Sequence, residues 1–286
     1  MDSSMPTEVL PNPYTPLAFL TPTTANEFEA SCYLYVATLV AFIWDWMTAW
    51  PDEYRIIFKK PIRASKIVYC LSRLSAFTYI VTSTIFQVAP VGVCQELQLA
   101  LRTFFAVSIP ATSALFYLCV CAVFHNSKPV VIFFGILWLS ILGTSFTVPF
   151  SIHGAHIGTT DRCINTSVKP VSSSGVILNT INDTLVFFAI SFRLVSFSIQ
   201  EQGTARDKFR SFFRGEGLPK LSRMLLQGGQ LYYFATVSLN ILTMAMIISP
   251  KVSPVFHAMF TIPNIALENA MATRVFRAIH MGAIQT

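Results

Sequence analysis

Seven stretches of this chain run for about twenty residues on mainly apolar side chains, the length an α-helix needs to cross ~30 Å of hydrocarbon at ~1.5 Å per residue. They are residues 30–49, 65–88, 97–124, 129–150, 175–199, 226–249 and 253–278. Each is apolar nearly all round, whereas a helix of a soluble core carries a polar face at a 3.6 period. Composition agrees: 53% of residues are hydrophobic and only 12% are charged, against ~25% charged in soluble domains. The expected fold class is all-α, a polytopic membrane protein built as a seven-transmembrane-helix bundle with its N-terminus outside and its C-terminus inside. A flexible extracytoplasmic tail would occupy residues 1–29, the transmembrane domain 30–278, and a short cytoplasmic tail 279–286. Those seven spans set the frame for every other feature.

Orientation rests on Lys and Arg, which cytoplasmic loops retain. With seven spans, fourteen of them fall on one side and only Arg162, Lys169 and Lys251 on the other, while Arg73, Arg102 and Arg193 lie within spans. The net charge of +6 thus faces an anionic inner leaflet, where each basic residue gains about 1 kcal/mol. No aromatic platform or groove-reading element accompanies it, so nucleic acid is not an expected partner. The lipid bilayer is. The run Arg206, Lys208, Arg210, Arg214 between the fifth and sixth spans is the expected contact for a cytoplasmic protein partner. The N-terminal tail has no basic residue and does not read as a cleavable signal peptide.

Of six cysteines, Cys32, Cys70, Cys119 and Cys121 fall inside spans and read as small apolar packing residues. Cys94 and Cys163 are the two in outer loops, an oxidising compartment, which predicts a disulfide between them. Two residues beyond Cys163, Asn165-Thr166-Ser167 forms an acceptor triplet for N-glycosylation, which makes Asn165 the expected glycan site.

Ionisable side chains inside lipid cost ~2.5–3.5 kcal/mol each and usually find partners. Arg73 and Glu268 lie at similar depth from the inner face on the second and seventh spans, so they are expected to pair, with Asp45 of the first span joining them. Arg102 and Asp183 lie in the outer third of the third and fifth spans and are expected to line a ligand pocket opening outward. Pro110, Pro149 and Pro263 interrupt the third, fourth and seventh spans and are expected to bend them.

Several chemistries lack their residues. The middle of the last span has no lysine for a retinal Schiff base. His153 and His156 lie three apart with no third ligand for zinc. There is no nucleophile elbow, phosphate loop or dinucleotide turn. No catalytic residue, cofactor or metal site is assigned.

The stretch Trp44-Asp45-Trp46, the following Pro51-Asp52-Glu53-Tyr54-Arg55, the start of span two from Lys66 through Tyr69 to Arg73, and the close of span seven from Asn264 to Arg277 resemble a family of uncharacterised seven-span membrane proteins abundant in basidiomycete fungi. The resemblance implies a topology and no activity. The overall plan, with a cysteine before span three tied to the next outer loop and a basic third inner loop, also resembles a G-protein-coupled receptor. Two signatures of the rhodopsin-like class are missing: span three closes on Cys121-Ala122-Val123-Phe124-His125 without Asp-Arg-Tyr, and span seven has no Asn-Pro-x-x-Tyr. The expected function is receptor-like sensing of a small or lipidic ligand from the outer face. The alternative is a membrane-embedded enzyme, terpene-cyclase-like, acting on a hydrophobic substrate with Asp45, Glu53 or Glu268 as general acid.

Overall fold

The computed structural model describes residues 19–58, 64–124, 127–146, 152–158, 160–168, 172–198, 233–246, 249 and 259–282. Within them the chain forms α1 (Pro22–Phe58), α2 (Ala64–Val88), α3 (Cys94–Val123), α4 (Lys128–Ser145), a hairpin of β1 (Ile152–His156) and β2 (Cys163–Val168), then α5 (Ser172–Ser198), α6 (Tyr233–Met246) and α7 (Thr261–Gly282). Four helices are long and apolar enough to cross a membrane: α1, α3, α4 and the Gly175–Arg193 stretch of α5. The chain is a helical membrane protein.

Hydropathy passes over α2 and α7 for a reason visible in their burial. The first buries Ser72, Arg73, Ser75 and Ser83; the second buries Asn264, Glu268, Asn269, Thr273 and Arg277. Their polar side chains are paid for by neighbouring helices rather than by water, so a window average under-reads them. The outer surface is the reverse. Trp44, Phe58 and Phe192 are each 69% exposed while Arg73 and Glu268 are each 1% exposed, the distribution expected when lipid, not water, surrounds the fold.

Consecutive helices run antiparallel. Ser31 of α1 meets Gln87 near the end of α2, while Glu53 near the end of α1 meets Tyr69 near the start of α2. Asn179 bonds Glu268, and Asn240 bonds Asn264. Asp45 and Glu53 in turn reach Arg274 and Arg277, so α1 and α7 run parallel and close the bundle. Two apolar clusters fill its interior. One packs Leu115, Phe116, Val120, Phe187, Tyr233 and Phe276; the other packs Tyr35, Phe42, Tyr79, Ile80 and Ile262. Phe187 and Tyr233 stack face to face with centroids 4.1 Å apart, joining α5 to α6.

Three boundaries depart from the sequence reading. Helix α1 begins at Pro22, well before residue 30, and runs on past Pro51 to Phe58; at about 55 Å it exceeds the hydrocarbon thickness. That overrun carries Glu53 into the bundle, where it is 4% exposed. The described part of α7 starts at Thr261, so Pro263 sits in its first turn, where a missing N–H breaks no helical bond. A bend at Pro263 is therefore not needed. Pro149 lies outside the described residues. Pro110 is inside α3, and the indole N–H of Trp138 donates to its carbonyl at 3.0 Å, tying α4 to α3.

The segment between α4 and α5 is not a plain loop. It folds back as an antiparallel hairpin in which His156 pairs with Cys163 and Ile152 with Val168. Ile152, Ile164, Thr166 and Val168 are β-branched, and such side chains favour a pleated surface. Cys94 and Cys163 are disulfide-bonded, with Cα atoms 5.7 Å apart. The bond pins the hairpin to the first residue of α3. Gly154 makes this fit close: a Cβ there would stand 3.2 Å from Phe86 Cζ and 3.3 Å from Gln98 Oε1, so one of those side chains would have to shift slightly to admit it. Gly158 turns the hairpin at φ 56°, a left-handed conformation that glycine adopts freely.

Candidate functional site

The bundle interior holds one extended polar system with two halves. At the end away from the hairpin, α1 supplies Asp45 and Glu53, α2 supplies Tyr69 and Arg73, and α7 supplies Arg274 and Arg277. Arg73 Nη2 donates to Asp45 Oδ2 at 2.8 Å, and its Nε lies 3.4 Å from Glu53 Oε1. Arg274 Nη2 donates to the other Asp45 oxygen at 2.9 Å. Glu53 is held from several sides: Tyr69 Oη donates to Oε1 at 2.7 Å, Trp46 Nε1 to Oε2 at 2.8 Å, and Arg277 Nη1 approaches Oε1 at 3.3 Å. The guanidinium carbon of Arg73 sits 4.9 Å from the Phe42 ring centroid and 5.6 Å from that of Trp46, so aromatic faces supply further cation stabilisation. Three guanidinium groups thus meet two carboxylates, with most donors and acceptors engaged. Such a cluster repays the desolvation of its charges only when the hydrogen bonds are complete.

Asn269 links this charged end to the bundle centre. Its Oδ1 accepts from Arg73 Nη1 at 3.2 Å, while its Nδ2 donates to Ser72 Oγ at 2.9 Å and to Thr112 Oγ1 at 3.2 Å. Its neighbour Glu268 is rotated ~100° around the helix and faces α5 instead. There Asn179 Nδ2 donates to Glu268 Oε2 at 2.9 Å, and Asn179 Oδ1 accepts from Ser113 Oγ at 3.2 Å. The two halves therefore meet at adjacent residues on two helices, Thr112 with Ser113 on α3 and Glu268 with Asn269 on α7.

The second half is less complete. Asp183 accepts a long 3.4 Å bond from Asn182 on Oδ1. Its Oδ2 and Glu268 Oε1 are buried without a hydrogen-bond partner among the described residues. Nearer the hairpin, Asn264 Nδ2 donates to Asn240 Oδ1 at 2.6 Å, leaving Asn240 Nδ2 and Asn264 Oδ1 buried and unbonded. These amides line a narrow recess with about 40 Å³ of internal free space, open at its mouth and walled by Phe105, Ile109, Val176 and Ile265. A wider lateral groove of about 1100 Å³, counting its open side, runs between α1, α6 and α7, with Asp45 and Arg274 on its wall.

The sequence-derived sites are only partly brought together. Asp45 does pair with Arg73. Glu268 does not join them, since its turn of the helix directs it to Asn179, and Glu53 takes the place foreseen for it. Arg102 donates through Nε to the carbonyl of Gln98 on its own helix at 3.1 Å, while Asp183 faces Asn182 and α7. Asn165 falls on β2, opposite Gly154. Arg206, Lys208, Arg210 and Arg214 lie outside the described residues. His156 Nδ1 stands 3.3 Å from Cys94 Sγ, but that sulfur is already bonded to Cys163. Arg274 and Arg277 were legible only as positive-inside charges. The four-residue spacing of Asn269, Thr273 and Arg277 on one helical face is the signal that points Arg277 inward. The Arg274 side chain is 45% exposed and reaches Asp45 from outside that face.

A family of unknown function, DUF6533, matches residues 33–78 of this chain. No curated protein matches it. The matched stretch spans most of α1 and more than half of α2, and it contains Asp45, Trp46, Glu53, Tyr69, Ser72 and Arg73. The segment similar to that family of unknown function is thus the α1–α2 side of the charged cluster, and the partners on α3 and α7 come from elsewhere in the chain.

Proposed function

We propose that this protein is a seven-span membrane sensor of receptor-like organisation, with its N-terminus outside, that responds to a small or lipidic ligand entering from the hairpin side. The observation that carries this reading is the continuity of the buried polar system. The Asn240–Asn264 pair lines the same recess as Asn179, and Asn179 bonds Glu268 of α7. The next residue of α7, Asn269, bonds Arg73 of the charged cluster at the far end, so the two groups are joined through the α7 backbone. A ligand that displaces Asn179 or turns α7 changes the register of Asn269 against Ser72 and Thr112. The cluster of Asp45, Glu53, Arg73, Arg274 and Arg277 then acts as a latch between α1, α2 and α7. Release of the latch re-presents the basic segment from Arg206 to Arg223 to a cytoplasmic protein. Coupling of this kind requires a two-state element that both ends bias.

A double-mutant cycle tests the coupling without a known ligand. Asn179→Leu and Asp45→Asn sit in different halves, and distant independent sites add within about 0.5 kcal/mol. The sensor reading expects a coupling of about 1 kcal/mol or more in the thermal unfolding of the nanodisc-embedded protein. Strict additivity removes the latch from the proposal. Impermeant labelling of tags at both ends of the chain on intact cells checks orientation, with only the N-terminal tag expected to react.

A further inference from the structure

We infer that the recess between α3, α5, α6 and α7 is a binding site for a neutral, apolar small molecule bearing a single hydroxyl group. The inference rests on the sensor reading only in supplying the class of ligand; occupancy of the recess can be measured whether or not the protein signals.

Asn240 is 2% exposed and Asn264 7% exposed, and both line the recess. Two side-by-side amides can satisfy each other with two reciprocal hydrogen bonds. This pair makes one, from Asn264 Nδ2 to Asn240 Oδ1. One donor and one acceptor remain, both buried and both without a partner among the described residues. Reversing both amide orientations exchanges which residue holds which group and leaves the same remainder. An unmet buried amide group costs about 1–3 kcal/mol, so the recess carries a standing preference for something that both donates and accepts.

The other polar residues of the wall do not meet that need. Ser145 Oγ donates to the Ile141 carbonyl at 2.8 Å and Thr243 Oγ1 to the Leu239 carbonyl at 2.8 Å, each turned back onto its own helix. Asn179 has both ends of its amide engaged. A hydroxyl, of water or of a ligand, accepts from one amide nitrogen and donates to one amide oxygen at once, and a ligand hydroxyl brings an apolar remainder that water lacks. The remaining wall is apolar, with Phe105, Ile109, Val176 and Ile265, and no charged side chain stands among the described lining residues. An ionised ligand would lie there unpaired. A hydrocarbon would fill the space and leave both amide groups unmet.

Photolabelling with a diazirine-bearing octanol, on the full chain in nanodiscs, tests the site directly. Adducts are expected on the peptides that carry Val176, Thr243 and Ile265. Excess 1-octanol should reduce them about tenfold, equivalent to ~1.4 kcal/mol of preference, while excess octane should leave them. Adducts on the exposed α4 residues Ile132 and Leu139 report ordinary partition into lipid and should resist both competitors. The double variant Asn240→Leu with Asn264→Leu should lose the competable labelling and keep the α4 labelling. Equal competition by octane, or labelling confined to the lipid-facing surface, overturns the hydroxyl site. If the double variant does not fold, the two competitors on the native chain still decide. Competable labelling together with strict additivity between Asn179→Leu and Asp45→Asn keeps the site and discards the latch.

Discussion

The two halves of the buried polar system meet on α3 and α7 but otherwise draw on different helices, and they differ in completeness. Carboxylates and a guanidinium group come from α1 and α2 at the far end, amides and an acid from α5 and α6 near the hairpin. At the far end each carboxylate oxygen of Asp45 and Glu53 has a donor and the aromatic faces of Phe42 and Trp46 cover Arg73, whose Nε is the cluster's one buried atom without a hydrogen bond among the described residues. Near the hairpin, Asp183, Glu268, Asn240 and Asn264 each keep an atom without a partner among the described residues. A completed network holds helices in register, and one left incomplete invites an occupant. The difference teaches where to look for structure and where to look for function. The charged cluster ties α1, α2 and α7 together; the amide and acid half is where the proposed ligand would gain the most.

That contrast can be broken most forcefully at Arg73. Replacing it with methionine leaves Asp45 and Glu53 buried against a single guanidinium each, and removal of one partner from a buried pair costs about 3–5 kcal/mol. The expected result is loss of the monodisperse species on size-exclusion chromatography, and a well-behaved Arg73→Met protein would show the cluster to be dispensable. Next in size is Cys94→Ser, which frees the hairpin and should lower stability by about 2–4 kcal/mol. A reducing agent should lower the thermal midpoint of the native chain to a similar degree and leave that of the variant unchanged. The smallest effect sharpens the comparison. Glu268→Gln keeps a carbonyl to accept from Asn179 and removes a carboxyl whose second oxygen is unbonded, so stability should change by less than about 1 kcal/mol. Asp45→Asn, measured beside it, should cost clearly more, because Arg73 and Arg274 both lose a charged acceptor. Equal losses from the two variants would mean that the halves are not different in kind.

How much of this was legible in the chain differs by residue. Cys94 and Cys163 could be paired from compartment alone, whereas depth argued for Arg73 with Glu268, and the structure pairs Arg73 with Asp45 instead. Glu268 could not be placed, because depth says how far along a helix a residue lies and not which way it faces. Glu53 lies just beyond Pro51, past the end of the first apolar run, and enters the bundle only because α1 continues through that proline. The amide pair of Asn240 and Asn264 carried no sequence signal, since each is an ordinary polar residue near the end of an apolar run.

By itself the sequence determined that this is a helical membrane protein, because long apolar runs can satisfy their backbone groups in lipid only as helices. Only the tertiary structure decided which polar side chains meet. Facing around a helix turns by ~100° per residue, so one position separates Asn269, bonded to Arg73, from Glu268, bonded to Asn179. Hydropathy averages over that rotation, and packing resolves it.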